Sequence, residues 1–93
     1  MSIAPPPPND AMTEDELLAL FRANVTLLRE DLGISQSELA RRIGRTPGYV
    51  CDIERGRRKP NLTTLALIAE GLGLNPSMLI STAIRPRAKK NLD

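Results

Sequence analysis

Seven of the thirteen basic residues in this 93-residue chain lie between positions 35 and 60, where only three acidic residues stand. Residues 1–34 carry a net charge of −4, residues 35–60 of +4 and residues 61–93 of +2, so the overall +2 conceals a basic centre behind an acidic start. Positive charge concentrated on one element is what holding a phosphate backbone requires. Arg57, Arg58 and Lys59 are consecutive and are expected to contact phosphates, which positions a nucleic acid without reading its sequence. Catalysis has no comparable footing. Histidine is absent, the single Cys51 lacks its usual base, and neither a phosphate loop nor a metal-ligand spacing is present. No catalytic residue, metal or cofactor is therefore expected.

The basic centre sits on two short helices that are legible from their ends. Ser35 precedes Glu38 by three residues, a capping-box pattern opening a helix from Gln36 to Ile43, with Leu39, Ala40 and Ile43 on its inner face. Gly44 ends that helix, since glycine enters the left-handed conformation without steric cost. Thr46 is placed to cap a second helix with Pro47 in its first turn, Val50 and Ile53 facing inward and Gly56 at its end. Ala40 faces the second helix, where a larger side chain would push the pair apart.

Leu39, Ala40, Ile43, Gly44, Val50 and Ile53 reproduce, at matching spacing, the pattern of the lambda-repressor-like, Cro-type helix-turn-helix family, which this chain resembles over about residues 21–84. Leu28-Arg29 upstream, Ile53-Glu54-Arg55-Gly56, Pro60 and Leu65 through Leu74 extend the likeness beyond the motif itself, which covers about residues 35–55. The resemblance implies an all-α, compact five-helix DNA-binding domain. Arg45 departs from the family, which is often apolar there, and leaves the turn more exposed and nearer to DNA. The resemblance also implies an ion pair between Arg29 and Glu54, joining the first helix to the end of the second motif helix. Independently of it, a carboxylate flanking the inward Val50/Ile53 face needs a partner if buried.

In proteins of this kind the second motif helix enters the major groove of double-stranded DNA. With Val50 and Ile53 turned inward, its opposite stripe is Gly48, Cys51, Asp52 and Arg55. The first three lack the forked side chains that read guanine or adenine. Glycine at 48 lets the backbone approach the bases, and Asp52 either accepts from a cytosine amino group or pairs with Arg45 or Arg55. Tyr49 is expected to place its hydroxyl on a phosphate, or else to pack partly into the core. The resemblance puts Gln36 at a phosphate or the outermost base. Specificity then leans on Gln36, Arg45, Thr46 and operator shape. Cys51 is either a small side chain beside DNA or an oxidisable thiol.

Residues 1–12, with Pro5 to Pro8, read as a flexible leader, residues 13–84 as the domain, and residues 85–93 as a flexible basic tail. Thr13 and Glu16 form another capping-box pattern, before a first helix whose Phe21, Val25, Leu28 and Leu32 recur at helical spacing to about Asp31. Asn61 caps a fourth helix with Leu62, Leu65, Ile68, Ala69 and Leu72. Asn75-Pro76 opens a fifth whose Met78, Leu79, Ile80 and Ile84 exceed what one core face needs and are the candidate homodimer interface. No signal peptide or membrane-length apolar run is visible, so a cytoplasmic location is expected. A sequence-specific transcriptional regulator, a homodimer on a palindromic operator with no small-molecule effector, is the leading expectation. A protein-interaction module or antitoxin body of the same fold, with weak DNA binding, is the alternative.

Overall fold

The computed structural model describes residues 11–83 and is all-α, with no strand among them. Four α-helices, α1 (Glu14–Asp31), α2 (Gln36–Arg42), α3 (Pro47–Arg55) and α4 (Leu62–Leu72), are followed by a 3-10 helix, Pro76–Ile80. The leader expected over residues 1–12 lies outside the described residues except for its last two, as do the tail and Ile84.

Each helix begins where a side chain takes over an orphan amide. The Thr13 hydroxyl accepts from the Glu16 N–H at 3.1 Å while the Glu16 carboxylate accepts from the Thr13 N–H at 2.8 Å, a complete capping box. The box expected at Ser35 forms by half. Its hydroxyl accepts the Glu38 N–H, but the Glu38 carboxylate turns outward to Arg41 and Arg42. Thr46 and Asn61 cap α3 and α4 by accepting from Tyr49 and Thr64.

The turn between α2 and α3 is tight because Gly44 adopts φ +68°, allowing the Arg45 N–H to reach back to the Ala40 carbonyl at 2.9 Å. Apolar side chains from every element then meet in one core. Phe21 and Val25 of α1 join Leu39, Ala40 and Ile43, Val50 and Ile53 of α3, Ile68, Ala69 and Leu72 of α4, and Leu79. Leu32, expected on the buried stripe of α1, is 45% exposed because it caps the helix as the chain turns away at Gly33. Leu62, expected on the inner face of α4, is 81% exposed, since Thr64, Ile68, Ala69 and Leu72 are the residues this helix buries.

The expected fifth helix is a correction. A five-residue 3-10 helix stands in its place, bonded i to i+3 from Met78 N–H to the Asn75 carbonyl and from Ser81 N–H to the Met78 carbonyl, and carbonyls at its end also accept from α1. The buried Asn24 amide of α1 donates to the carbonyls of Leu79 and Ser81 at 3.2 and 2.9 Å, with a longer contact to Met78 at 3.4 Å. Leu79 is completely buried and is a core residue, not part of an exposed interface.

Gly71, inside α4, sets how closely α2 approaches. A β-carbon there would stand 2.5 Å from Ile43 Cγ2 and 2.9 Å from Leu39 Cδ1, both on buried residues, and the Arg42 guanidinium donates to the Gly71 carbonyl at 3.1 Å. Gly71→Ala is expected to destabilise the fold by about 1–3 kcal/mol through overpacking, despite the better helix propensity of alanine. Urea unfolding reads this as a lower midpoint; an unchanged or higher midpoint would contradict the close approach.

Candidate nucleic-acid interface

α3 is held from behind by Val50 and Ile53, both fully buried, and from its far end by a polar node. Arg29 of α1 donates through Nε to Glu54 Oε2 at 2.7 Å and through Nη2 to Oε1 at 3.0 Å, a bidentate pair whose side chains are 10% and 5% exposed. Its remaining Nη1 donates to the Ile34 carbonyl at 2.8 Å, bracing the turn into α2. Gln36 Nε2 donates to Glu54 Oε1 at 2.9 Å. One carboxylate thus ties α1 and the first residue of α2 to the end of α3. The amide nitrogen of Gln36, expected at DNA, is committed to this node.

Burial pushes the Glu54 carboxyl up, but hydrogen bonds from Arg29 and Gln36, the Arg29 charge and a hydrogen bond from Thr26 outweigh it, leaving its pKa below the usual range. Glu38, on the surface, is held at about 2 by hydrogen bonds from Arg41 and Arg42.

The outward side of α3 is open. Gly48 and Arg55 are exposed, and Cys51 and Asp52 are half-buried. A β-carbon on Gly48 would meet only Thr46 Oγ1, at 3.8 Å, so the fold does not demand glycine there. Pro47 fills the first turn of the helix and is exposed. Asp52 pairs with Arg57, whose Nη1 stands 3.0 Å from Oδ1, rather than with Arg45 or Arg55. Cys51 lies beside that same guanidinium. Lys59 is ion-paired with Glu14 at the start of α1. Of the three consecutive cations, only Arg58 has no carboxylate partner among the described residues. Its guanidinium carbon lies 4.9 Å from the centre of the Tyr49 ring, and that of Arg45 lies 5.6 Å from the same centre. Tyr49 is half-buried and packs against the core.

Two residues with structural weight escaped the sequence reading. Asn24 lies three residues after Phe21 and four before Leu28, a lone polar position on an apolar stripe, and that spacing was the available signal. Glu14 as the partner of Lys59 had none, because the contact joins residues 45 positions apart.

A helix-turn-helix family profile matches residues 26–79, more than half of the chain. The chain belongs to this lambda-repressor/Cro-like helix-turn-helix family. It is 33% identical over 66 residues to an uncharacterized HTH-type transcriptional regulator, y4dJ, from Sinorhizobium fredii, covering 71% of this chain and 86% of that one. Among solved structures, the hypothetical transcription factor NHTF from Neisseria superposes with a TM-score of 0.68 at 34% identity, over 80% of this chain and 85% of its own. The restriction-modification controller protein C.AhdI from Aeromonas hydrophila superposes with a TM-score of 0.63 at 34% identity, over 67% and 94%. Among the described residues no helix is long and apolar enough to cross a membrane, and no cluster of candidate metal ligands occurs.

The node makes a prediction about pH. A carboxylate with a lowered folded pKa stabilises fully above its unfolded value of about 4.3, and this contribution is lost as pH falls through the folded value. Glu54→Gln is therefore expected to be markedly less stable than wild type at pH 7, with the gap narrowing by pH 3. Arg29→Ala, which strands the carboxylate, is expected to cost about 3–5 kcal/mol at pH 7. Denaturant unfolding at the two pH values checks both, and a gap independent of pH would contradict the assignment.

Proposed function

We propose that the chain is a sequence-specific transcriptional regulator that binds double-stranded DNA through α3, acting as a homodimer on a two-fold symmetric operator. The observation that carries this reading is the outward face of α3: an exposed first turn flanked by Arg45 and Arg58, with Arg55 at the far end of the helix, none with a carboxylate partner among the described residues. Membership of the helix-turn-helix family and the likeness to transcriptional regulators and a controller protein support it.

α3 enters the major groove in this reading, with Thr46, Pro47 and Gly48 leading. Gly48 keeps the helix backbone accessible and Arg55 lies about two helical turns further on. Asp52 is tied to Arg57, so it reads a cytosine amino group only by exchanging one partner for another. Gln36 acts chiefly by orienting α2 against Glu54. A single small motif has few base contacts, and two half-sites one helical turn apart multiply the discrimination. Ile80, 42% exposed, and the half-buried Met78 form the apolar surface for the second copy.

Selection of bound duplexes from random DNA tests the whole reading. Recovered sites are expected to be inverted repeats with half-site centres about 10 base pairs apart, and Ile80→Glu is expected to sediment as a monomer at micromolar concentration and to lose the symmetric preference. Weak, sequence-blind retention would instead favour the protein-interaction module.

Gly48 adds a check with two readouts of opposite sign. Gly48→Ala should stabilise the fold by up to about 1 kcal/mol, because alanine is the better helix former and its methyl group is not opposed. The same methyl group stands on the face offered to the bases, so affinity for the selected duplex should fall. A variant that is more stable and binds equally well would remove Gly48 from the interface.

A further inference from the structure

The cations around α3 divide into two groups. Arg41 and Arg42 are held by Glu38, Arg57 by Asp52 and Lys59 by Glu14. Arg45, Arg55 and Arg58 have no carboxylate partner among the described residues, and of these Arg45 and Arg58 share an aromatic ring. They come from different segments, Arg45 from the turn after α2 and Arg58 from the loop after α3, and they line one open depression with Gly44, Thr46, Gly48, Tyr49 and Asp52, whose carboxylate is taken up by Arg57.

A guanidinium within about 6 Å of an aromatic ring centre is attracted to the ring's negative face. The two arginines nevertheless repel each other, and an anion placed between them relieves that repulsion. Tyr49 packs on the core, whereas both arginines are exposed, Arg45 making one local contact from Nη1 to the Gly44 carbonyl at 3.3 Å. No side chain donates to or accepts from the Tyr49 hydroxyl among the described residues.

We propose that Tyr49 is a positioning residue whose ring gathers Arg45 and Arg58 into a two-guanidinium clamp on one backbone phosphate. The proposal rests on the DNA-binding reading above and assigns the work to the ring, not the hydroxyl. Arg58 is then the principal phosphate contact of its basic triplet, because Arg57 and Lys59 must first give up a carboxylate.

Binding to a selected duplex and to an unrelated one, each measured between 50 and 200 mM salt, tests the clamp. Tyr49→Phe keeps the ring and is expected to match wild type within about two-fold, with the same salt slope. Tyr49→Leu is expected to weaken both duplexes alike by about ten-fold and to reduce the slope of log K against log salt by about one, the counterion release of one phosphate contact. Arg58→Ala, an exposed change, is expected to do the same without touching the fold, to exceed Arg57→Ala and Lys59→Ala, and to gain little further when combined with Tyr49→Leu. Equal losses in Tyr49→Phe and Tyr49→Leu would assign the contact to the hydroxyl and overturn the clamp. So would an unchanged slope in Arg58→Ala, or full additivity in the double variant. Wild-type protein that binds neither duplex at 50 mM salt would overturn the DNA-binding reading itself.

Discussion

Taking a guanidinium and a carboxylate out of water is costly, and the Arg29–Glu54 pair repays that cost only because its geometry is bidentate and its spare hydrogen-bonding groups are used. The pair dictates where three helices can be. α1 supplies the cation, α3 the anion, and the first residue of α2 a second donor to the same oxygen. The apolar core leaves α3 some freedom to rotate or slide, since Val50 and Ile53 make non-directional contacts. The directional bonds at Glu54 remove it. An interface that reads base edges needs that precision, because bidentate contacts fail with small displacements.

The close approach of α2 to α4 at Gly71 complements the node from the other side. Together they seat the two-helix motif on a scaffold of α1 and α4, leaving the outward face of α3 without structural duty. Gly48 illustrates the freedom: its surroundings would accept a side chain, so its presence is a matter of surface and not of packing. Two acidic residues, one in the negative start of the chain and one in its basic centre, take a specific part here. Glu14 and Asp52 moderate two of the cations nearest to α3, leaving the remainder to define where anions are welcome.

The motif was legible in sequence because its signals are local. Thr46, Pro47 and Gly44 act within four residues of themselves, and Leu39, Val50 and Ile53 repeat at helical spacing. The partners of the charged residues were not legible. Glu38 could complete a capping box or pair with Arg41 and Arg42, and only the rotamers decide; Asp52 had three arginines within reach along the chain and took the one beyond the helix end. The fifth element failed for a related reason. Pro76 and the apolar residues after it suit a helix start, but which helix forms depends on carbonyls claimed by Asn24, more than fifty residues earlier.

Asn24 and Leu79 fasten the 3-10 segment to the rest of the molecule, one by hydrogen bonds and the other by burial. The segment packs on both α1 and α4, but a five-residue 3-10 helix has little backbone bonding of its own, so its order depends on those contacts. It also carries Ile80, proposed above as part of the surface for a second copy. Association there would close the segment down as well as join two chains, so that pairing and local order rise together as protein concentration rises. At low concentration the motif would remain folded while this edge breathes; at high concentration the edge would become as firm as the helices behind it.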